Sequence, residues 1–427
     1  MKILRSSEYE KIKAEILSRG DLDYKDINIT VEEIVNSVKE KGDSAVFEYT
    51  AKFDGAIIDS MEVTAAEINK AWARAPKSLK IALTDAASSI KRFHKKQIRN
   101  SFMDNTLKGR MTGQLINPIE KVGIYIPGGK SPYPSTVLMN AIPAKVAGVE
   151  NLIMVTPPGK DGMIMDNILV AAKIAGVDRI FKVGGAQGIA ALAYGTETIP
   201  KVYKITGPGN IYVALAKKQV YGTVDIDMIA GPSEILIIAD DTANPKYIAA
   251  DLLSQAEHDE LASSVLITPS EDIADAVSKE MDIQLAKLVK KDIAEKSLFN
   301  YGRIIITKDI DEAIDIANDI ATEHLELMVA EPFLYINSIK NAGAIFVGEN
   351  TPEPLGDYYA GPNHTLPTNG TAKFSSPLSV DDFIKKTSVI YYSKEALKEV
   401  KDTILEISES EGLTAHSNSI KVRFEEE

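Results

Sequence analysis

The stretch VGIYI, residues 122–126, runs into Pro127-Gly128-Gly129 and then into a helical pattern over residues 135–147. A short apolar run that stops at a glycine turn and gives way to 3.6-residue periodicity reads as a buried strand feeding a helix. The same unit recurs in NLIMVTP (151–157) before 164–175, RIFKVGG (179–185) before 186–194, and KVYKITG (201–207) before 210–220. Strand and helix alternating in this way predict an α/β fold, with a parallel sheet covered on both faces. Further along, SEILIIAD (233–240), a helix over about 244–257, SSVLITP (263–269), RIIIT (303–307), a helix over 310–322 and GAIFVG (343–348) predict a second block of similar build. No regular sequence repeat relates the two.

On the N-terminal side, apolar residues recur at helical spacing from Thr30 to about Arg99, as in Val31, Ile34, Val35, Val38 and again Leu79, Ala82, Ala86, Ile90, Phe93. These are expected to be core-facing stripes of packed helices, and His94 beside Phe93 is expected to belong to the packing. Beyond Gly348 the chain crowds Pro352, Pro354, Gly356, Gly361, Pro362 and Pro367 into one segment. A long Pro/Gly-rich loop inside a compact enzyme is usually functional or disordered. Helices are expected at 380–386 and 394–407, before a solvated acidic tail at Glu425, Glu426 and Glu427.

A chain of 427 residues, 44% hydrophobic and 26% charged, exceeds one ordinary core. Its formal net charge of −13 repels phosphate backbones and anionic membranes, so neither nucleic acid nor a membrane is an expected partner. A small neutral or cationic substrate meets no such barrier. The start, MKILRSSEYEKIKAEIL, has no apolar h-region, and no later run approaches a membrane span, so a cytoplasmic location is expected. The cysteine count is zero, which removes disulfides, thiolate metal sites and cysteine nucleophiles together. Any metal must be held by nitrogen and oxygen.

Glycine turns follow three of the first-block strands: Pro127-Gly128-Gly129, Gly184-Gly185 and Gly207-Pro208-Gly209-Asn210. Such junctions turn backbone amides and helix N-termini toward an anion, as dinucleotide binding requires, although no complete G-x-G-x-x-G occurs and each turn alone is explained by tight packing. The sequence has five histidines, and four lie near acidic or amide groups: Gln255-Ala256-Glu257-His258-Asp259, Glu323-His324, Asp357 with His364, and Glu411 with His416. Histidine with carboxylate and amide oxygen is a ligand set open to a thiol-free zinc site. Gln255 and His258 share a helical face if the helix extends that far. Taken singly, each pair is also explained by a surface hydrogen bond or cap, and ligand chemistry alone favours Glu257 or Asp259 over Gln255. Glu323 and His324 sit at a junction, where adjacent acid and base can share proton transfer; a helix C-terminus with histidine near its last carbonyls is the plainer alternative.

The strings VGIYIPGG-x-SPYPSTVLM, VGGAQGIAALAYGTETIP, KITGPGN-x-YVA, DMIAGPSEILIIAD, LLSQAEHD, TEHLEL, NAGAIFVG and PLGDY-x-AGPNHTLPT, followed by EGLTAHSNSIKVR, fall in order from residue 122 to 423. This collinear set resembles the histidinol dehydrogenase family. The resemblance implies two incomplete Rossmann-like parallel-sheet domains with smaller helical N- and C-terminal segments. It implies one zinc per active site on Gln255, His258, Asp357 and His416, which overrules the preference for Glu257, and a catalytic pair at Glu323 and His324. Substrate contacts map to Ser233, Gln255, His258, His324, Asp357, His364, Glu411 and His416, and NAD contacts to Tyr125, Gln187 and Asn210.

The expected organisation is a helical segment over 1–110, an NAD-binding domain over 111–235, a second Rossmann-like domain with metal-site residues over 236–370, and a small C-terminal domain over 371–427 that completes the partner subunit's site in a homodimer. The reaction implied is oxidation of L-histidinol to L-histidine through the aldehyde, in two NAD-dependent hydride transfers, with zinc anchoring the substrate. Two rivals stand beside it. A zinc hydrolase would use the same metal, glutamate and histidine but leave the glycine turns without a ligand; a degenerate, non-catalytic relative would lack chemistry that is present here.

Overall fold

The computed structural model describes residues 1–17, 24–128 and 133–425. Gly129 of the first glycine turn, with the rest of 129–132, lies outside the described residues. The strands in chain order are β1 (Lys2–Arg5), β2 (Phe102–Asp104), β3 (Arg110–Pro118), β4 (Lys121–Tyr125), β5 (Asn151–Thr156), β6 (Arg179–Lys182) and β7 (Lys204–Thr206). They continue as β8 (Asp225–Ile226), β9 (Glu234–Ala239), β10 (Ser263–Thr268), β11 (Arg303–Ile306), β12 (His324–Met328), β13 (Ala344–Val347) and β14 (Ile384–Tyr392).

By its contacts the chain divides into two compact units, Met1–Gln97 with Ile119–Phe383, and Ile98–Pro118 with Ile384–Glu427. The larger unit holds two parallel sheets with helices on both faces, as the alternating pattern requires. One has the order β6-β5-β4-β7-β8 and the other β1-β11-β10-β9-β12-β13. The interior strands β5, β9 and β10 are buried almost end to end because both faces are covered: β9 reads EILIIA and is buried throughout. Two apolar clusters pack against each sheet. Ile124, Leu152 and Met154 face one cluster of the five-stranded sheet, and Tyr125, Ile153 and Val155 face the other.

The N-terminal helices are part of this unit. The helix Lys25–Lys41 buries Val31, Ile34, Val35 and Val38 in the same cluster as Ile189 and Val213, from the helices after β6 and β7. The helix Lys77–His94 buries Leu83, Ala86 and Ile90. His94 is wholly buried, its Nδ1 2.8 Å from Gln97 Oε1 and its ring edge-on to Phe93, so it is a packing residue.

Local pattern misled at three places. Residues 2–5 form the edge strand β1, paired to β11 across the length of the chain. His324, read as sitting at a junction, opens the interior strand β12 (His324–Met328) between β9 and β13. Residues 380–386, expected to be helical, are a 3-10 turn over Val380–Phe383 and then the start of β14; Ile384 to Ile390 alternate apolar and polar too imperfectly to reveal a strand that pairs with β3.

The smaller unit is a three-stranded antiparallel sheet, β14-β3-β2, with the helices Lys394–Ser410 and Thr414–Lys421. Among its described residues only Ala396, Ser408 and Ser417 are buried. Phe102, Ile390, Tyr391 and Ile407 are all more than half exposed, so the unit has almost no core of its own.

Candidate active site

At the carboxyl ends of β4, β6 and β7, the described glycine-turn residues Gly128, Gly185 and Asn210 line one cavity. Tyr125 closes β4, and its phenol oxygen accepts a hydrogen bond from the Gly185 N–H at 3.1 Å. Burial pushes that phenol up to about 12, so it stays protonated. Gly185 opens the helix Gly185–Tyr194, whose first turn carries Gln187, buried with both amide atoms unpartnered. Asn210 caps the helix Ile211–Val220 by accepting from Val213 N–H. Gly207, after β7, sits at φ +114°, and a Cβ there would meet the Tyr125 carbonyl oxygen at 2.1 Å, so only glycine fits. The buried Lys217–Asp227 pair clamps this peptide from both sides: Asp227 Oδ2 accepts from Gly207 N–H at 2.8 Å, and Lys217 Nζ donates to the Gly207 carbonyl at 3.0 Å. A cavity of about 690 Å³ opens here, lined by Tyr125, Gly128, Gly185, Gln187 and Asn210 among others.

The second polar centre lies at the opposite strand ends, the amino ends of the six-stranded sheet. Ser233 directly precedes β9 and Glu323 directly precedes β12. Glu323 Oε2 accepts from Glu234 N–H at 2.9 Å, and Glu234 Oε2 accepts from Glu323 N–H at 3.2 Å, so the two carboxylates brace neighbouring strands reciprocally. His324 is therefore not at a helix C-terminus but heads a central strand. Its Nδ1 donates to the Glu234 carbonyl at 2.9 Å, which fixes the ring and leaves Nε2 buried without a hydrogen-bond partner. Strand alternation puts His324 and Glu326 on one face, opposite Leu325 and Leu327.

Against that face pack the helix Pro245–Ala256 and the short helix Glu353–Tyr358. The first ends at Ala256, before His258, so the expected shared helical face does not extend that far; a tight turn, His258 N–H to the Gln255 carbonyl at 3.2 Å, keeps the two adjacent instead. Gln255 is 1% exposed, with both amide atoms unpartnered. Asp259 spends Oδ1 on the Leu261 N–H at 2.9 Å and is exposed. Asp357 Oδ1 lies 3.8 Å from both His324 Nε2 and His364 Nδ1. His364 Nδ1 also lies 3.1 Å from the Asp357 carbonyl, and its Nε2 3.4 Å from Thr136 Oγ1 at the start of the helix after β4. Asn363 Nδ2 donates to the Met139 carbonyl at 2.6 Å, so the Pro/Gly-rich loop ties one sheet's helix layer to the other sheet's strand ends.

Electrostatics follow from this burial. Glu323 is pushed up to about 7, by loss of water first and against the opposing pull of His324. Burial lowers His324, but the Glu323 and Asp357 charges outweigh it and carry the imidazole to about 10. Burial likewise works to raise Asp357, yet His324 and His364 hold it far below the usual carboxylate range. The His258 ring, crowded by protein though still open to solvent, is lowered by desolvation, as is His364. His324, Glu353 and Asp357 offer ligand atoms within 4.8 Å of one another. Glu353, Glu326 and Asp251 went unnoticed in the sequence. They form an acidic cluster behind the site, in which burial raises Glu353 to about 8 and Asp251 to about 6 and pushes Glu326 up as well. Glu326 inside the apolar run HLELM was the one available signal.

Ser233, Gln255, His258, Glu323, His324, Asp357 and His364 all belong to the larger unit. Glu411 and His416 belong to the smaller one, at the end of the helix Lys394–Ser410 and in the helix Thr414–Lys421, both open to solvent there.

Glycine turns around a cavity on one parallel sheet, with an acid–histidine cluster on the other, are the features of an α/β enzyme. Comparison with known proteins sharpens this. The family model for histidinol dehydrogenase matches residues 17–424. A histidinol dehydrogenase from Clostridium acetobutylicum is 56% identical over 98% of this chain and 97% of its own length. One from Listeria monocytogenes is 52% identical over all of both chains. The crystal structure of histidinol dehydrogenase from Elizabethkingia anophelis superposes with a TM-score of 0.94 at 40% identity, over 100% of this chain and 98% of that one. The chain belongs to the histidinol dehydrogenase family and is an NAD-dependent dehydrogenase with Rossmann-like parallel sheets.

Proposed function

We propose that the protein oxidises L-histidinol to L-histidine, through the aldehyde, in the closing steps of histidine biosynthesis in the cytoplasm. The observation that carries this is the pairing of Glu323 and His324 at the head of β12 with the unpartnered buried atoms His324 Nε2, Gln255 Oε1 and Gln255 Nε2. Buried polar atoms without partners are rare unless a ligand supplies them.

Gln255 Oε1, with Asp357 and His258, suits one Zn²⁺: nitrogen and oxygen donors, no thiolate, and an imidazole whose hold on its proton burial lowers. Gln255, His258 and Asp357 would hold it from the larger unit, with His416 completing the set. When bound, zinc would anchor the substrate's imidazole and amino nitrogens and draw off the Asp357 charge that retains the His324 proton, while NAD, one molecule per step, takes up hydride.

The chain's own groups divide the remaining work. In the alcohol step His324, oriented by the Glu234 carbonyl, takes the hydroxyl proton as hydride departs. In the aldehyde step water must add directly, since a chain without cysteine offers no thiol to form a thiohemiacetal. Glu323, held by one oxygen and poised near 7, is the base that activates this water. Ser233, His364 and Glu411 complete the substrate contacts; Tyr125, Gln187 and Asn210 hold NAD in the cavity at the carboxyl ends of β4, β6 and β7.

The assembly proposed is a homodimer with shared sites, in which residues 371–427, with Glu411 and His416, complete the site of the other subunit. What supports it is the coreless smaller unit, whose exposed Phe102, Ile390, Tyr391 and Ile407 leave apolar area to be covered. Two experiments bear on the metal. Chelation should abolish NADH formation from L-histidinol and zinc should restore it; oxidation that survives removal of all metal sinks the proposal. His258→Asn should bind zinc at least tenfold more weakly by titration, and full metal occupancy in that variant would remove His258 from the ligand set.

A further inference from the structure

The cofactor cavity has one wall that the strand-end glycine turns do not supply. Thr30, Ile34, Phe53 and Asp54, from the N-terminal helices, line it together with Met165 and Ile168. Asp54 ends a π-helical turn, Thr50–Asp54, which Gly55 stops at φ +66°. π turns are uncommon and are frequently found at functional sites. Tyr49 and Phe53 stack at 5.6 Å on that turn, yet Phe53 remains half exposed.

Asp54 Oδ2 is buried with no hydrogen-bond partner, and the Asp54 charge is close enough to act on the Tyr125 phenol. Its neighbours Ile34, Phe53, Met165 and Ile168 are apolar, a surface suited to a flat purine. A carboxylate beside a purine slot has an obvious use in dinucleotide recognition: it accepts from the hydroxyls of the adjoining ribose, and it repels a phosphate placed on the 2′ oxygen.

Resting on the reading of this cavity as the dinucleotide site, we infer that Asp54 binds the adenosine ribose hydroxyls of the cofactor and excludes the 2′-phosphorylated dinucleotide. The N-terminal helices then contribute cofactor selection as well as packing. Lys160 lines the same cavity and lies beside Gly55, so once the Asp54 charge is removed a cation remains to welcome a 2′-phosphate.

The test is kcat/KM for NAD and for NADP, with saturating L-histidinol at pH 8, in the full-length protein and its Asp54→Asn and Asp54→Ser variants. The expected result is strong preference for NAD in the parent and a shift of the NADP/NAD ratio by tenfold or more in at least one variant, carried by the cofactor KM while the histidinol KM moves less than twofold. An unshifted ratio in both variants overturns the assignment, as does a parent that does not discriminate. Gln187→Ala separates the two levels of the argument. If it raises the NAD KM while the Asp54 variants leave the ratio alone, only the role of Asp54 fails. If it leaves the NAD KM unchanged, the cavity is not the cofactor site and the inference falls with it.

Discussion

The two parallel sheets of the larger unit gather their buried polar residues at opposite strand ends. In the five-stranded sheet the polar residues follow strands: Tyr125 ends β4, Gln187 sits in the first turn after β6, and Asn210 caps the helix after β7. This is the usual place for ligands in open α/β sheets, where glycine turns and helix N-termini present N–H groups to an anion. In the six-stranded sheet Ser233 and Glu323 precede β9 and β12, and Gln255 comes from the far end of a helix returning from β9. Backbone amides suit a phosphate, whereas proton transfer and metal binding need side chains aimed from several elements. On the proposed reading, one unit uses both ends of its sheets, with the loop 353–368 tying the two together.

The contrast is broken hardest at Glu323. Glu323→Gln keeps the shape but removes the proposed base, and aldehyde oxidation should fall by about 10²–10⁴-fold, with the alcohol step reduced less when histidinol and histidinal are assayed separately. Equal losses would remove the division of labour. On the other sheet, Gly207→Ala forces a Cβ into the Tyr125 carbonyl at a left-handed φ; the expected cost is about 1–3 kcal/mol in thermal or denaturant unfolding. The NAD KM should rise while histidinol binding, by calorimetry, stays near the parent value, and a reversed pattern would mean that the two ends are not separate.

A pH series sharpens the comparison further. Burial raises Glu323 to about 7, so its basic form is lost as pH falls below 7, and histidinal kcat/KM should drop about tenfold per unit there. NAD binding should hold between pH 7 and 6, because Tyr125, Gln187 and Asn210 do not titrate there, and should weaken only as Asp54, which burial raises to about 6, takes up its proton. The smallest effect belongs to Asn210→Ala, which removes a helix cap worth about 1 kcal/mol and should weaken NAD binding only a few-fold; no change in either would detach that helix start from the cofactor.

The same contrast explains what could be read without a structure. VGIYI, RIFKVGG and KVYKITG announce themselves because both faces are buried and a glycine turn follows each strand. β12 was hidden because HLELM carries Glu326 within an apolar run, a buried carboxylate whose partners, Asp251 and Glu353, are 75 and 27 residues away in sequence. β1 and β14 escaped for a different reason: their pairing to β11 and β3 is long-range, and nothing local distinguishes them from a charged edge. Ligand chemistry preferred Glu257 and Asp259 to Gln255, yet Asp259 caps its own turn while Gln255 points inward with nothing to bond. Only the family resemblance, not spacing, singled out Gln255, and residue types alone could not have linked His416 to it.

The account's central claim is that one chain, without cysteine, carries an alcohol to an acid by two successive hydride transfers, using the cavity on one sheet and the Glu323–His324 pair on the other. It is tested most directly by incubating the zinc-loaded protein with L-histidinol and excess NAD and counting NADH against histidine formed. Two NADH per histidine, with no aldehyde accumulating, is the expected result; one NADH per substrate consumed, with histidinal as the end product, would contradict it.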